Sequence, residues 1–370
     1  MKIAYLVHDY HREGGHSRYV AELATRFARD HEVHVYANRI DPGAGKSPIH
    51  FHTVPAWRAN ALTTVLTFAL PATLQPARGF DIIHSQGFTG FRGNVFTAHI
   101  CNRAWHLALQ RLEGGVTFRE RCFNMFATAL EHATYRFIRR GAVIAISERV
   151  ARDLVHYYHC SAPIEVIYHG VDLALFSPDS RRRWRAQVRS EHGLGENEMV
   201  FLYVGDLRKG AARVIRALSK LENGRLLLVS RSPVAPYQRI VEEAGLAPAR
   251  VLFLGPTSQV ERIYAAADAL VFPTPYDAFA MVVSEAMATG LAVIVSREAG
   301  ASELIDDGVN GLLLDDVASV DELARHMQSL DKDRALAARL GCAARHTVES
   351  MSWDAVAQQT MQVYEKVLRN

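Results

Sequence analysis

The sequence predicts an α/β protein built from two doubly wound parallel sheets. Short apolar runs of strand length alternate with helix-length amphipathic segments, which is typical of strands buried on both faces of a parallel sheet. The pattern occurs twice, on either side of a polar, arginine-rich stretch at 177–197. The length of 370 residues also exceeds that of a usual single-core domain.

The first half contains seven runs of strand character. They are IAYLVH (3–8), HEVHVYA (31–37), IHFHTV (49–54), DIIHS (81–85), NVFTAHI (94–100), AVIAIS (142–147) and IEVIYHG (164–170). Helix-length segments lie between several of them, at Ser17–Arg29, Glu131–Arg140 and Ser147–Tyr158. We therefore predict a first domain at residues 1–170.

The second half repeats the alternation. Its strand-like runs are MVFLYVG (199–205), RLLLVS (225–230), RVLFLG (250–255), ALVFP (269–273) and LAVIV (291–295). A helix is predicted at Val260–Ala267, and another from about Ala280 to Gly290. Because doubly wound sheets bind ligands at the carboxyl ends of their strands, two such domains predict a ligand held between them.

Composition excludes several classes of protein. The hydrophobic fraction of 49% and the charged fraction of 22% are those of a soluble globular chain. The longest apolar stretch, Ala61–Leu74, has 14 residues and contains Pro71, so it is too short to span a bilayer. The N-terminus lacks signal-peptide organisation, and four scattered cysteines indicate neither a disulfide framework nor a zinc site. We expect a cytoplasmic protein.

Charge is distributed unevenly along the chain. Residues 1–170 carry a net charge of +6 and residues 171–370 a net charge of −3, and 14 of the 17 histidines lie in the first part. A basic first half suggests an anionic partner. A chance bias of the surface explains the same asymmetry, and both interpretations stay open.

Several common motifs are absent from the sequence. The first strand-to-helix turn, HDYHREGGHSRY, has no G-x-G-x-x-G, and the chain has neither a P-loop nor a G-x-S-x-G elbow. The only D-x-D, at 331–333, lies in a predicted exposed helical turn, and we interpret it as surface charge rather than a metal site. These absences argue against dinucleotide oxidoreductases, P-loop nucleotidases and common serine hydrolases.

The segment 269–300 carries the clearest chemical signal. A buried strand ends at Pro273, a loop carries Asp277, and a helix holding Glu285 begins near Ala280. Free N–H groups at that helix start favour an anion, and small residues allow it to approach the backbone. A carboxylate accepts hydrogen bonds from sugar hydroxyls, and Glu285 in an apolar run requires a partner.

The stretch from Asp277 to Ile294 resembles the E-x7-E signature of retaining, nucleotide-sugar-dependent glycosyltransferases of the GT-B fold, in glycosyltransferase family four. Further segments resemble the family in the expected order: Glu13–Gly15, Tyr168–Phe176, Val204–Gly210, Tyr264–Asp268 and Ser352–Tyr364. Within the family, Thr97–Cys101 and Ala129–Thr134 are most similar to the lipopolysaccharide-core glucosyltransferase branch.

The resemblance implies two Rossmann-like domains facing across a cleft. Residues 1–170 would bind the acceptor, residues 171–352 the nucleotide-sugar donor, and a C-terminal helix at about 353–370 would pack back onto the first domain. The reaction would move a hexose from a nucleoside-diphosphate sugar, with UDP favoured, to a hydroxyl of a cell-surface glycan or glycolipid with retention of configuration.

Roles for the donor-binding residues follow from the same resemblance. Glu285 would bind the ribose hydroxyls, Asp277 the donor-sugar hydroxyls, and the Arg208–Lys209 pair the diphosphate. Backbone N–H groups would also donate hydrogen bonds to the phosphates; they belong to Gly14, Gly15, Ala278, Phe279, Ala280 and Met281. Because cations stabilise the departing diphosphate, neither a metal nor a cofactor is expected.

Other residues are assigned to the transferred sugar, the base and the acceptor. His99 would lie near the transferred sugar, although a histidine buried in the core is the alternative, and His8, His11 and His16 would line the acceptor side. The nucleobase region would comprise Ser230, Arg231, Pro256, Thr257 and Ser258. Mixed aromatic and basic faces at 56–75 and 103–140 fit either an anionic membrane surface or ordinary packing. We expect no nucleic-acid partner.

Three departures from the family pattern keep other functions open. Asp277 is one methylene shorter than the usual glutamate, Ala280 replaces a common glycine, and Asp206 stands where many relatives carry arginine. One alternative is therefore a weakened sugar-nucleotide-binding protein. Another is an epimerase or phosphorylase on the same fold, although neither its additional acid–base carboxylates nor a Schiff-base lysine is evident.

Overall fold

The structure is a computed structural model that describes residues 1–11, 14–41, 48–59, 61–76, 79–111, 115–136, 138 and 141–369. Glu13, part of the glycine motif, and Arg140, the end of one predicted helix, lie outside these ranges. The chain forms two compact units. The first unit comprises Met1–Leu107, Val116–Gly170 and Trp353–Asn370, and the second comprises Ala108–Gly115 and Val171–Ser352.

The described residues form fifteen strands. They are β1 (Lys2–Leu6), β2 (Asp9–Tyr10), β3 (Glu32–Ala37), β4 (Arg39–Ile40), β5 (His50–Thr53), β6 (Ile82–Gln86), β7 (Val95–Ala98), β8 (Ala142–Ala145), β9 (Ile164–Val166), β10 (Val200–Val204), β11 (Arg225–Val229), β12 (Val251–Leu254), β13 (Ala269–Phe272), β14 (Ala292–Ser296) and β15 (Leu312–Leu314).

The same ranges contain thirteen α-helices. They are α1 (Gly15–Phe27), α2 (Ala61–Leu74), α3 (Asn102–Ala108), α4 (Phe118–Arg136), α5 (Glu148–Tyr158), α6 (Pro178–Glu191), α7 (Ala211–Leu218), α8 (Ala235–Glu243), α9 (Val260–Ala266), α10 (Met281–Thr289), α11 (Val320–Lys332), α12 (Arg334–Val348) and α13 (Trp353–Arg369).

Both large sheets are parallel, which confirms the predicted α/β class. The first unit has the strand order β5-β3-β1-β6-β7-β8-β9, and the second has β12-β11-β10-β13-β14-β15. The chain reverses direction across the sheet between β1 and β6 in the first unit, and between β10 and β13 in the second. Such reversals open a crevice at the carboxyl ends of the strands, where ligands bind.

Every predicted apolar run contains a strand, and most of these strands are buried on both faces; the edge strand β5, which exposes His50 and Thr53, is an exception. The first strand, for example, leaves Ile3, Ala4, Tyr5 and Leu6 without solvent exposure. The sequence missed β2, β4 and β15, whose two or three residues give too short a pattern to separate from a loop. The arginine-rich stretch at 177–197 contains α6, which packs against α9 inside the second unit.

Local signals fix the ends of several helices. Ser147 caps α5 by accepting a hydrogen bond from the Val150 N–H at 3.1 Å, and Gly290 ends α10 with a φ of 79°. Helix α13 belongs to the first unit, where the Tyr364 hydroxyl lies 2.8 Å from that of Tyr5. All four cysteines are free thiols. Among the described residues, no helix combines the length and the apolar character needed to cross a membrane.

Candidate active site

Two loops meet at the point where the second sheet reverses direction. The loop after β10 brings Lys209 to Asp277, in the loop after β13, with 2.7 Å between Nζ and Oδ2. Gly210 permits this approach, because it has a φ of 125° and a Cβ there would lie 2.5 Å from the Pro273 carbonyl oxygen. A cation and a carboxylate are therefore held together at the carboxyl ends of β10 and β13.

The start of α10 forms the wall beside this ion pair. The other Asp277 oxygen accepts a hydrogen bond from the Phe279 N–H at 3.2 Å, so the Phe279 amide, which the sequence assigns to phosphate, is engaged by Asp277. The Val283 N–H donates to the Ala280 carbonyl at 2.9 Å. Helix geometry leaves the N–H groups of Met281 and Val282 at the open end of the helix, where an anion is favoured.

Ala280 adopts a left-handed conformation at this junction, with a φ of 71°. This region favours glycine, because a Cβ crowds the neighbouring carbonyl oxygen at a cost of roughly 1–2 kcal/mol. The alanine here stores strain beside the helix start.

Glu285 lies one turn into α10 and is 7% exposed. The Tyr264 hydroxyl, from α9, donates to its Oε2 at 3.1 Å. This contact supplies a polar partner that burial of a carboxylate requires. Sequence reasoning included Tyr264 in a motif but did not connect it to Glu285, since the two residues are 21 positions apart.

Arg208, assigned to the diphosphate, contacts a carboxylate of its own loop. Its Nη2 lies 3.0 Å from Asp206 Oδ2. Partial burial raises the pKa of Asp206, but hydrogen bonds from the Arg208 side chain and N–H outweigh that effect and leave the pKa below its ordinary value. Lys209 and Arg208 thus each have an acidic neighbour, and the positive charge offered to an anion is reduced.

The loops assigned to the nucleobase follow β11 and β12, which are neighbours in the sheet. The Ser230 N–H donates to the Leu254 carbonyl at 3.1 Å, and Thr257 Oγ1 accepts from the Gln259 N–H at 3.0 Å. Sequence reasoning missed Ser232. Its hydroxyl lies 3.2 Å from Asp206 Oδ1, so it connects this region to the loop after β10, which carries Arg208 and Lys209. A single serine in a loop gives no sequence pattern to mark it.

The first unit presents a second helix start at the reversal of its own sheet. Gly14 precedes α1 with a φ of 81°, a conformation that favours glycine, and Gly15 opens the helix. The ring of His16 packs on that of His99, with 4.3 Å between centroids. His99 therefore lies directly after β7 and close to the start of α1.

His99 is a buried, neutral imidazole. It is 5% exposed, and its Nε2 lies 2.8 Å from Gln86 Oε1. Burial, reinforced by His16 and His169, holds the pKa of His99 well below its ordinary value of 6.5. Its Nδ1 is buried without a hydrogen-bond partner among the described residues. A donor from a ligand would satisfy that nitrogen.

Comparison with known proteins decides the family. The family model described as "Glycosyltransferase Family 4" matches residues 13–175, and that described as "Glycosyl transferases group 1" matches residues 183–347. Together the two models span most of the chain. The chain belongs to glycosyltransferase family 4.

Relatives of this glycosyltransferase extend over its whole length. It is 29% identical to the alpha-maltose-1-phosphate synthase of Mycolicibacterium smegmatis, with 99% of this chain and 100% of that protein covered. The crystal structure of WaaG, a glycosyltransferase involved in lipopolysaccharide biosynthesis, matches with a TM-score of 0.81 at 21% identity, covering 98% of this chain and 99% of that one. Anabaena HepE in complex with UDP-glucose matches with a TM-score of 0.74 at 20% identity, covering 99% and 100%.

The glycosyltransferase brings its predicted site residues together within each unit. In the second unit Lys209, Asp277 and the start of α10 form one group. In the first unit His99 and the start of α1 form another. Asp333 of the D-x-D caps α12 by accepting from the Leu336 N–H at 2.9 Å, and this is a structural contact.

Proposed function

We propose that this glycosyltransferase moves a hexose from a nucleoside-diphosphate sugar, with UDP preferred, to an acceptor hydroxyl and retains the anomeric configuration. The observation that carries the proposal is the Lys209–Asp277 pair beside the start of α10, with the buried carboxylate of Glu285 on the same helix. A cation and helix N–H groups suit a diphosphate, and carboxylates suit sugar hydroxyls. The HepE complex with UDP-glucose supports the choice of uracil.

The proposed roles follow the chemistry of each group. Lys209 and the N–H groups of Met281 and Val282 bind the diphosphate, while Asp277 and Glu285 bind hydroxyls of the sugar and the ribose. Asp277 engages Lys209 at 2.7 Å, so a bound donor shares the lysine with this carboxylate or displaces it. The leaving diphosphate gains charge in the transition state, and a cation held there accelerates the reaction.

The chemical step is proposed as a same-face substitution. The bond between the anomeric carbon and the diphosphate oxygen breaks, and the departing oxygen accepts the proton of the acceptor hydroxyl. The acceptor oxygen then bonds to the anomeric carbon on that face. In this scheme His99, whose pKa lies well below 6.5, stays neutral and contributes hydrogen bonds to the transferred sugar. No metal is required, since Lys209 and peptide N–H groups supply the positive charge.

A panel of UDP-, GDP- and ADP-hexoses tests this function. Each is incubated with the full chain and a glycolipid or glycan acceptor, and the product is analysed by proton NMR. We expect transfer from one nucleotide series with an anomeric coupling that matches the donor. Inverted configuration would refute retention. Tight binding without transfer or hydrolysis would favour the weakened binding protein.

A second acceptor class is supported by a specific observation. One relative that covers 99% of the chain is an alpha-maltose-1-phosphate synthase, whose name contains a phosphorylated sugar. We therefore include soluble sugar phosphates beside glycolipids and glycans in the acceptor panel. Preference for a phosphorylated acceptor would favour a soluble sugar phosphate, rather than a cell-surface glycan, as the acceptor.

We also propose that the first unit docks on an anionic membrane surface. Leu66, Leu70 and Leu74 are 43%, 60% and 62% exposed, and their spacing of four places them on one face of α2. Helix α4, which contacts α2, exposes Phe118 and two arginines, Arg119 and Arg121. Apolar and basic side chains together fit the headgroup region of anionic lipid.

Sedimentation with liposomes tests the membrane proposal. We expect the chain to sediment with phosphatidylglycerol-containing vesicles, and L66S/L70S to lose most of that binding. V155S, which changes one exposed apolar residue on α5, is the matched control. Equal sedimentation with neutral and anionic vesicles, or no sedimentation, would remove the proposal.

A further inference from the structure

Three histidines and a glutamate gather on one face of the first sheet, at its edge. Strand β5 is the edge strand, and its His50 pairs in register with His34 of β3. Two positions later, His52 pairs with Tyr36. Because side chains alternate between the two faces of a strand, the rings of His34, Tyr36, His50 and His52 all lie on the same face. Glu32 begins β3 and completes the group.

The polar atoms of this group converge. The ligand atoms of Glu32, His34 and His50 lie within 4.8 Å of one another. His34 Nε2 is 2.9 Å from Glu32 Oε1, and the rings of His34 and His50 are 4.7 Å apart. Ligands arranged tetrahedrally at zinc distances are about 3.3 Å apart, so small side-chain rotations would bring the three atoms onto one ion.

Neighbouring groups orient the central imidazole. His34 Nδ1 lies 2.8 Å from His52 Nε2, so His34 can donate Nδ1–H to His52 and present Nε2 to a metal. Metal-bound histidines commonly donate their second N–H in this way, which fixes the tautomer and the ring. The Phe80 ring packs edge-on against His34 at 5.0 Å, and Tyr36 stacks on His52 at 4.3 Å.

We propose that Glu32, His34 and His50 form a zinc site, with His52 as the outer partner of His34 and solvent in the remaining position. Two imidazoles and a carboxylate are ligands that zinc accepts, and an open fourth position is common in such sets. The site joins the edge strand β5 to β3. It lies in the first half of these strands, away from the carboxyl ends where the start of α1 lies, and it takes no part in the proposed transfer.

Lys2 limits the affinity of this site. Its Nζ lies 2.9 Å from the same Glu32 oxygen and competes with a metal ion for that carboxylate. We therefore expect zinc to bind more weakly here than at fully enclosed four-ligand sites.

Calorimetric titration of the chelator-treated full chain with ZnCl₂ tests the site. We expect one Zn²⁺ per chain, with Kd raised at least about 100-fold in H34Q and H50Q and about 10-fold or more in H52Q. H346Q is the matched control, since His346 is an exposed histidine 3.1 Å from Glu349 in the second unit. Unchanged Kd in H34Q and H50Q, or no Zn²⁺ uptake by the wild type, would overturn the proposal.

Thermal unfolding separates loss of the site from loss of the fold. Without metal, H34Q and H50Q should melt within a few degrees of the wild type, because His50 is exposed and a glutamine can keep a polar contact in place of the half-buried His34. With zinc in excess, the melting temperature of the wild type should rise by about 4 °C or more, while H34Q and H50Q stay unchanged. An equal rise in all three proteins would contradict the assignment.

Discussion

At the residue scale, the Lys209–Asp277 contact sets the balance between binding and turnover. D277N should leave Lys209 without its anionic neighbour, so UDP should bind as tightly or more tightly than to the wild type. Turnover should nevertheless fall at least about 10-fold, because the sugar loses a charged acceptor. Calorimetry with UDP and initial rates with the nucleotide sugar measure the two effects separately.

The lysine variant gives the opposite pattern. K209A should weaken UDP binding and lower kcat/KM together, since both the ground state and the departing diphosphate lose a cation. K220A is the matched control, because Lys220 also pairs with an aspartate of the second unit but lies on its surface. Equal losses in K209A and K220A would remove Lys209 from the proposed site.

Ala280 gives a stability prediction at a single position. A280G should raise the free energy of unfolding of the second unit by about 1 kcal/mol, because glycine adopts a φ of 71° without a Cβ clash. Chemical denaturation measures this change. A288G, in the middle of α10, is a control expected to change stability in the opposite direction. Glycine there increases the backbone entropy of the unfolded chain and removes a buried methyl group, so the unit should become less stable. A loss of stability in A280G would contradict the strain argument.

Individual contacts were the part of the site that the sequence could not predict. The residue types and order around Asp277 indicate an anion site, because a helix start after a buried strand is a local property. The ion pair of Lys209 with Asp277, by contrast, joins residues 68 positions apart. The Arg208–Asp206 pair depends on side-chain conformations in a turn, and hydrophobic periodicity gives no information about them.

At the scale of elements, α6 is fixed to the second unit by one buried carboxylate. Asp268, after α9, accepts hydrogen bonds or ion pairs from arginines of α6 and from Arg334; the α6 residues are Arg181, Arg185 and Arg189. Burial raises the pKa of Asp268, but these arginines outweigh the effect and leave the pKa below its ordinary value. The arginine-rich stretch is therefore an ion-paired helix.

Removing that carboxylate should cost more than removing a surface acid. D268N should lower the free energy of unfolding of the second unit by about 3 to 5 kcal/mol, because Arg189, itself 4% exposed, would keep a buried charge without its counter-ion. D179N, which changes an exposed acid of the same helix, should lie within about 0.5 kcal/mol of the wild type. A shift for D268N as small as that for D179N would contradict this account of α6.

Sequence patterns located elements well where burial is continuous and poorly where charge dominates. The runs around Pro273 and Gly290 predicted β13, which is buried throughout, and α10, which is buried from Val283 to Thr289. In α6 the buried face is made by arginine stems and their ion pairs, so hydrophobic periodicity does not report it.

At the scale of the whole molecule, the two units should respond to acid in different pH ranges. His84 in the first unit is fully buried between Thr97 and Tyr364, and burial lowers its pKa from 6.5 to about 3. The unfolded state therefore binds more protons below pH 6.5, and stability present above that pH is lost as pH falls. Each such histidine removes up to about 1.4 kcal/mol per pH unit.

Acid should consequently loosen the first unit before the second. His99 adds to the effect in the first unit, whereas the lowered pKa of Asp268 costs the second unit stability only below its ordinary value of 3.8. Hydrogen exchange followed by mass spectrometry at pH 7.5 and pH 5, with each rate divided by the intrinsic rate at that pH, should show lower protection at pH 5 in peptides of the first unit alone. H84Q should reduce the pH dependence, and an equal loss of protection in both units would contradict the assignment.

The central claim concerns the donor, and isothermal titration of the full chain with UDP-glucose tests it most directly. We expect the wild type to bind the nucleotide sugar, with E285Q and K209A at least about 10-fold weaker and K220A unchanged. Equal affinity in all four proteins would contradict the placement of the donor at the carboxyl ends of β10 and β13. Failure to bind this or any other hexose nucleotide would contradict the proposed function itself.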